Sequence, residues 1–331
     1  VAIAGVSFLL GAFLSLATSW VLVTRLERVG ERIGISEGLL GMVAALAADA
    51  PEITASVSAL AQHQFGIGVG VVVGSNVFNV AALLGLGSVV AGRIHLHRRV
   101  VVLAGVVALW VAVTTLMTSL GVLSAPPALV LVSVALAGYV MLLALPAERR
   151  RRLPFPRAWT AWLSLAIDEE ELELRESIRP PRGRAVDVVV AIGALVVVVG
   201  SSVAMEHGAA RLGRHFHVAD AVIGGVVLAA VTSLPNAVAG VYLATKGRDS
   251  AALSTALNSN NLNVLAGLLI PGAILGIATR SSVGTLTSAS YLVLTALVVG
   301  VAYVCRGVGR RAGWLIILLY ALFVVLVIAL A

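Results

Sequence analysis

The chain is poor in charge and almost devoid of thiols. Of its 331 residues only 12% are Asp, Glu, Lys or Arg, about half of what soluble globular chains carry, which excludes an ordinary soluble enzyme, a disordered chain and a nucleic-acid-binding domain. A single cysteine, Cys305, stands in an apolar run, so neither a disulfide framework nor a thiolate metal site is available. Lysine occurs once, at Lys246, against 22 arginines, a bias that points to a GC-rich bacterial genome. No His-Glu-x-x-His, Gly-x-Ser-x-Gly or EF-hand glycine spacing occurs, which removes the usual metalloprotease, serine hydrolase and calcium-sensor readings.

What remains is apolar. Hydrophobic residues make up 60% of the chain and the mean hydropathy is +1.04, values expected of a membrane protein. At about 20 apolar residues per helix, the runs divide into ten spans at approximately 2–24, 37–61, 67–91, 100–119, 124–146, 186–205, 219–244, 251–278, 283–304 and 312–330. The first run has no basic region ahead of it and no clear cleavage site, so it reads as a true span rather than a signal. The net charge of +7 reflects basic loops, not a nucleic-acid partner. Loops after the odd-numbered spans hold 20 of the 23 basic residues, leaving Arg211, Arg214 and Arg280 on the other side. The positive-inside rule then places the N-terminus outside and residues 147–185 in the cytosol, in a cell (inner or plasma) membrane.

Within 147–185 the charges run basic, acidic, basic, from Arg149–Arg152 through Asp168–Glu171 to Arg175–Arg184. This reads as a solvated linker that touches anionic lipid, with Trp159 and Trp162 able to anchor an interfacial helix. His63, His207, His215 and His217 fall on the outer side and read as surface residues without a ligand role.

The chain repeats itself. Ala50-Pro51-Glu52, followed by Gly74-Ser75-Asn76-Val77-Phe78-Asn79-Val80, parallels Leu234-Pro235-Asn236, followed by Asn258-Ser259-Asn260-Asn261-Leu262-Asn263-Val264, with no gap between them. Arg28-Val29-Gly30 matches Arg211-Leu212-Gly213 with one residue of slippage. Five spans separate the copies, so they lie in opposite orientations. Inverted-topology repeats of this kind build transporter sites at the bilayer midplane, where broken helices meet. The expected fold is therefore an all-α membrane protein with a first five-helix repeat over 1–146, a cytosolic linker over 147–185 and a second repeat over 186–331.

Pro51 and Pro235 fall mid-span and mark the breaks, because proline removes a backbone hydrogen bond and crowds the preceding turn. Carbonyls freed inside a bilayer need partners, and a cation is one. Asp49 and Glu52 are the only acids read deep within a span. At about 2.5 to 3.5 kcal/mol each on insertion scales, they are functional candidates by default. Around them stand Ser75, Asn76 and Asn79 from span 3, Thr232, Ser233 and Asn236 from span 7, and Ser259, Asn260, Asn261 and Asn263 from span 8. This oxygen-rich set, free of sulfur and histidine, suits hard cations such as Ca²⁺ or Na⁺. Interhelical hydrogen bonding accounts for any one asparagine alone.

These motifs resemble the α-repeats of the sodium/calcium exchanger superfamily of cation antiporters. The resemblance implies alternating access through one central site. On it, Glu52 matches a first-repeat glutamate that ligates Ca²⁺ and Na⁺, Asn79 a site asparagine, Ser75 and Ser259 the hydroxyls beside it, and Thr232 and Ser233 residues of the second broken helix. The sequence departs from the family at Asn236, where Pro-Glu is usual, at Asn263, where aspartate is frequent, and at Ala48-Asp49-Ala50, where Thr-Ser-Leu is usual. If Asp49 faces the site, two negative charges can neutralise one Ca²⁺; if it faces away, Glu52 alone better suits a monovalent cation or a proton.

The leading expectation is a Na⁺/Ca²⁺ antiporter, with Na⁺/H⁺ or another cation/H⁺ exchange through Asp49 and Glu52 as the alternative. The expected partners are the transported cations and membrane lipid, without a cofactor, in a monomer or weak oligomer. An intramembrane enzyme using the two acids as a pair lacks a second catalytic aspartate in another span, and a transport-dead binding protein is the remaining reading.

Overall fold

The computed structural model describes residues 1–34, 37–145, 147–150, 154, 156–177, 183–277 and 280–331. Arg151, Arg152, Arg179 and Arg182 of the basic runs lie outside the described residues. The first half comprises α1 (Ala2–Ile33), α2 (Glu37–Ala48), α3 (Ala50–Ala61), α4 (Phe65–Ala91), α5 (Arg98–Ser119) and α6 (Ala125–Ala144). After α7 (Arg157–Ser177) the second half follows: α8 (Ala185–Phe216), α9 (Asp220–Thr232), α10 (Leu234–Thr245), α11 (Asp249–Leu262), α12 (Ser282–Cys305) and α13 (Arg310–Leu330). The helical path of α11 continues through Asn263–Leu269 to Leu275.

Two spans are broken. The axis bends by 53° between Met42–Ala48 and α3, and by 47° between α9 and α10. Counting each broken pair once, nine spans among the described residues are long and apolar enough to cross a membrane; with α11 and its continuation to Leu275 as the tenth, the fold is ten membrane helices in two inverted halves. The duplication extends to element boundaries: Ala2–Ile33 recurs as Ala185–Phe216, and Ala50–Ala61 as Leu234–Thr245.

The prolines explain the breaks. Pro51 and Pro235 occupy the first turns of α3 and α10, where a missing N–H costs least. The hinge residues are Asp49 (φ −80°, ψ −6°) and Ser233 (φ −84°, ψ 0°), equivalent positions of the two repeats. The Ala47 carbonyl, four residues before Pro51, accepts instead from Ser19 Oγ of α1 at 3.3 Å.

Small residues bring the helices into backbone contact, as packing in lipid requires. A methyl group on Gly74 of α4 would lie 2.3 Å from the Gly225 carbonyl oxygen of α9. Likewise α1 and α8 run together along their length: a Cβ at Gly11 would meet Met205 N at 2.7 Å, one at Gly208 would meet Ala4 O at 2.7 Å, and Ser15 and Ser202 share a 2.7 Å hydrogen bond. Outward faces such as Leu9, Phe13, Val189, Val196 and Leu318 are exposed apolar side chains, as a bilayer solvent demands and water does not.

Three features depart from the sequence reading. Segments Val80–Leu86, Ile223–Leu228 and Asn263–Leu269 are π-helical, the first and third at equivalent places beside the polar asparagines. Two three-residue strands, β1 (Arg93–His95) and β2 (Gly307–Gly309), pair antiparallel and tie the loops after α4 and α12. Finally, α7 is docked rather than loose. Its Ile167 is wholly buried against Met42, Tyr139 and Leu143, and Glu169 pairs with Arg99 of α5 at 2.8 Å. Trp159 stays outside the packing at 72% exposure, consistent with an interfacial anchor.

Candidate functional site

Asp49 and Glu52 lie at the break between α2 and α3, one at the hinge and one in the first turn of α3, where the helix N-terminus favours negative charge. Both side chains are wholly buried. Asp49 Oδ1 accepts from Asn236 Nδ2 of α10 at 2.7 Å and from Ser259 Oγ of α11 at 2.6 Å. Glu52 accepts from Ser233 Oγ through Oε1 and from Asn263 Nδ2 through Oε2. All the donors to these two carboxylates come from the second repeat, so Asp49 and Glu52 converge on one cluster.

Behind them α4 and α11 cross. Asn76 Nδ2 donates to the Asn260 carbonyl at 3.1 Å and Asn260 Nδ2 to the Asn76 carbonyl at 3.0 Å. Asn79 Nδ2 donates to Asn260 Oδ1 at 3.1 Å and Asn263 Nδ2 approaches Asn76 Oδ1 at 3.5 Å. Each bond maps onto its partner when the repeats are exchanged, so a pseudo-twofold axis runs between Asn76 and Asn260. The Asp49–Asn236 and Glu52–Ser233 bonds are related in the same way.

Two expected members spend their hydroxyls on the main chain. Ser75 Oγ donates to the Ala229 carbonyl at 3.4 Å, and Thr232 Oγ1 to the Leu228 carbonyl at 2.9 Å. Neither reaches a carboxylate. Tyr291 of α12 is a neighbour the sequence did not suggest: it is wholly buried, with its hydroxyl beside the Asn76 side chain. One aromatic in an apolar span gives no pattern by which to find it.

Three oxygens of the cluster are buried without a hydrogen-bond donor: Asp49 Oδ2, Asn79 Oδ1 and Asn263 Oδ1. Buried acceptors are normally paired, and carboxylate and amide oxygens are the ligand type a hard cation takes. The amides and hydroxyls are ambivalent, since rotation exchanges a hydrogen for an oxygen. The cluster can therefore satisfy its carboxylates internally or turn those groups toward an ion. Its side chains are buried, so an ion can enter or leave only if the bundle moves.

A bundle of ten membrane helices in inverted halves, with helices broken at a buried polar cluster, defines a membrane transporter rather than an enzyme. The chain belongs to the sodium/calcium exchanger family, whose model matches residues 3–167 and 186–329. It is 26% identical over 277 residues to the putative antiporter CaxA of Alkalimonas amylolytica, covering 79% of this chain and 76% of that protein. It is 30% identical over 193 residues to the sodium/potassium/calcium exchanger Nckx30C of Drosophila melanogaster, covering 55% of this chain but only 21% of that longer protein. Among solved structures, the sodium-calcium exchanger NCX_Mj soaked with Na⁺ and Sr²⁺ superposes with a TM-score of 0.63 over 98% of each chain at 20% identity. Native YfkE gives 0.65 over 98% of this chain and 93% of that one at 16% identity. These structural likenesses are of fold.

Proposed function

We propose that the chain is a secondary antiporter that exchanges Na⁺ for Ca²⁺ by alternating access, with Asp49 and Glu52 as the charged ligands. Asn236, Ser233, Ser259 and Asn263 complete the inner set, and Asn76, Asn79 and Asn260 hold it in register. Ser75 and Thr232 belong to the walls. The observation that carries this reading is the convergence of both carboxylates on a buried, oxygen-lined cluster with three donorless oxygens. Two negative charges match one Ca²⁺, two Na⁺ or two protons.

The last equivalence keeps cation/H⁺ exchange as the second reading. It is favoured by Asn236 and Asn263, which donate hydrogens to carboxylates where the resembling family places acids. The membrane halves 1–146 and 186–331 would then be the moving parts, joined by 147–185 in the cytosol, with the N-terminus outside.

Reconstitution in vesicles with an imposed Na⁺ gradient tests both readings, with Ca²⁺ and internal pH followed together. Gradient-driven Ca²⁺ movement that disappears in Glu52→Gln is the expected result. A pH signal without Ca²⁺ movement transfers support to the second reading, and no flux of any cation overturns both.

A further inference from the structure

Among the described residues, three acids are wholly buried, and one of them, Glu206, lies away from the central cluster. Glu206 of α8 is 0% exposed. At about 1.5 Å per residue it stands roughly 30 Å from the start of its helix, level with the far edge of the hydrocarbon core. Its Oε2 accepts from Ser58 Oγ at 2.8 Å and from Gln62 Nε2 at 3.1 Å, both at the end of the α3 segment that begins beside Glu52. His207 Nε2 is 3.6 Å from the same oxygen and the imidazole is 43% exposed. Oε1 is buried and has no partner.

The rest of the surroundings are apolar. The side chains packed about this stretch of α8 include Phe8 and Ala12 of α1, Ala59 of α3, Ile67 of α4 and Ile223 and Leu228 of α9. Among the described residues, His207 is the only titratable group at ion-pair distance from Glu206. A carboxylate oxygen left dry and unpaired is too costly to persist, so Oε1 marks a place for a proton or a metal cation. The chemistry favours the proton. A hard cation needs several oxygen ligands, and beyond Ser58 and Gln62 the side chains packed about this stretch are apolar, whereas a proton needs only the one oxygen.

We propose that Glu206 is a proton-binding site, loaded through His207 from the membrane face that carries residues 62–64, and that its occupancy sets how firmly α8 holds α3. Without the proton, Ser58 and Gln62 donate to an anion, and such bonds are roughly twice as strong as neutral ones. With it, the grip of α8 on α3 loosens. The first repeat has no counterpart: the slippage that aligns Arg211 with Arg28 puts Val23 opposite Glu206. The device therefore acts at one face only of an otherwise duplicated bundle.

Infrared difference spectroscopy of the purified protein, titrated with acid in water and in heavy water, tests the site without relying on transport. Every acid that titrates adds to the protonated-carboxyl C=O band that rises on acidification, so the expected result is a component that persists in the Asp49→Asn/Glu52→Gln double variant and is lost from the band in Glu206→Gln. In vesicles, Glu206→Gln should keep its maximal exchange rate within about twofold while losing the dependence on pH at that face. Ser58→Ala retains the carboxyl and removes one donor, so its pH profile should move along the pH axis, which a purely structural role would not do. A band unchanged in Glu206→Gln, or pH profiles that coincide in all three proteins, would overturn the proposal.

Discussion

Asp49→Asn separates a ligand carboxylate from a merely buried one. The substitution is isosteric: Oδ1 keeps its bonds from Asn236 and Ser259, and the new NH₂ takes the place of the donorless Oδ2, so the fold is not challenged. What is lost is one unit of charge facing the cation. At about 4 Å and an effective dielectric near 20, that charge attracts a monovalent ion by about 4 kcal/mol and a divalent ion by about 8 kcal/mol. The remaining amide dipole and rearrangement of neighbours offset part of this. If half survives as a net loss, Na⁺ affinity falls roughly thirtyfold and Ca²⁺ affinity nearly a thousandfold. The absolute values depend on the dielectric, but their ratio does not, since the logarithmic loss for Ca²⁺ should be about twice that for Na⁺. Titration calorimetry of the purified protein with each ion, for wild type, Asp49→Asn and Glu52→Gln, measures both. Equal logarithmic losses for the two ions, or an unchanged Ca²⁺ affinity in Asp49→Asn, would refute Asp49 as a ligand.

Other substitutions test neighbouring parts of the reasoning. Asn236→Asp sets a second carboxylate at the 2.7 Å contact with Asp49; two such groups share a proton, so Ca²⁺ binding should fall more steeply on acidification than in wild type, as a pH series of titrations would record. Gly74→Ala forces a methyl group against the Gly225 carbonyl 2.3 Å away, whereas Gly225→Ala meets nothing closer than 3.8 Å. The first should cost about 1 to 3 kcal/mol or more and lower the melting temperature in detergent, while the second should leave it near wild type. Cys305 is exposed and unique in the chain, at the end of α12 that the arginine distribution assigns to the cytosol. A membrane-impermeant maleimide should label it in inverted vesicles and not in intact cells, and the reverse pattern would invert the orientation.

How much of this was legible in the sequence depends on what each residue contacts. The breaks at Asp49 and Ser233 were readable because proline acts locally, and the duplication doubled that evidence. The convergence of Asp49 on the site was not readable, because a hinge rotates the side chains on either side by an amount no helical periodicity supplies. Glu206 was missed for a different reason. Hydropathy ends the sixth span at 205 because Glu206, His207 and Arg211 look like loop, yet α8 continues to Phe216 with Glu206 covered by protein rather than lipid. The match of Arg211-Leu212-Gly213 to Arg28-Val29-Gly30 was the available signal, since it sets the same small-residue seam on both long helices. The docking of α7 was likewise hidden in a segment whose charges read as solvated, although Thr160, Ser164 and Ile167 recur at helical spacing on one buried face.

The central cluster is twofold in geometry and one-sided in charge, and that mismatch has a mechanical meaning. Both carboxylates belong to the first repeat, while Ser233, Asn236, Ser259 and Asn263, the groups that donate to them, belong to the second. With no cation bound, these four charge-assisted bonds cross the interface between the halves. At about 1.5 to 3 kcal/mol each, they hold the halves together by an amount comparable to the stability of a small domain. On the proposed function, a cation would replace the hydrogens with its own charge and turn the same amides and hydroxyls oxygen-first, so the clasp would be exchanged for an ion rather than simply opened. Had the acids been shared evenly between the repeats, each half would repel the other whenever the site was empty. Concentrating them in one repeat lets neutral donors of the other close over them, and on the proposed function the halves would stay closed whether the site held hydrogens or an ion.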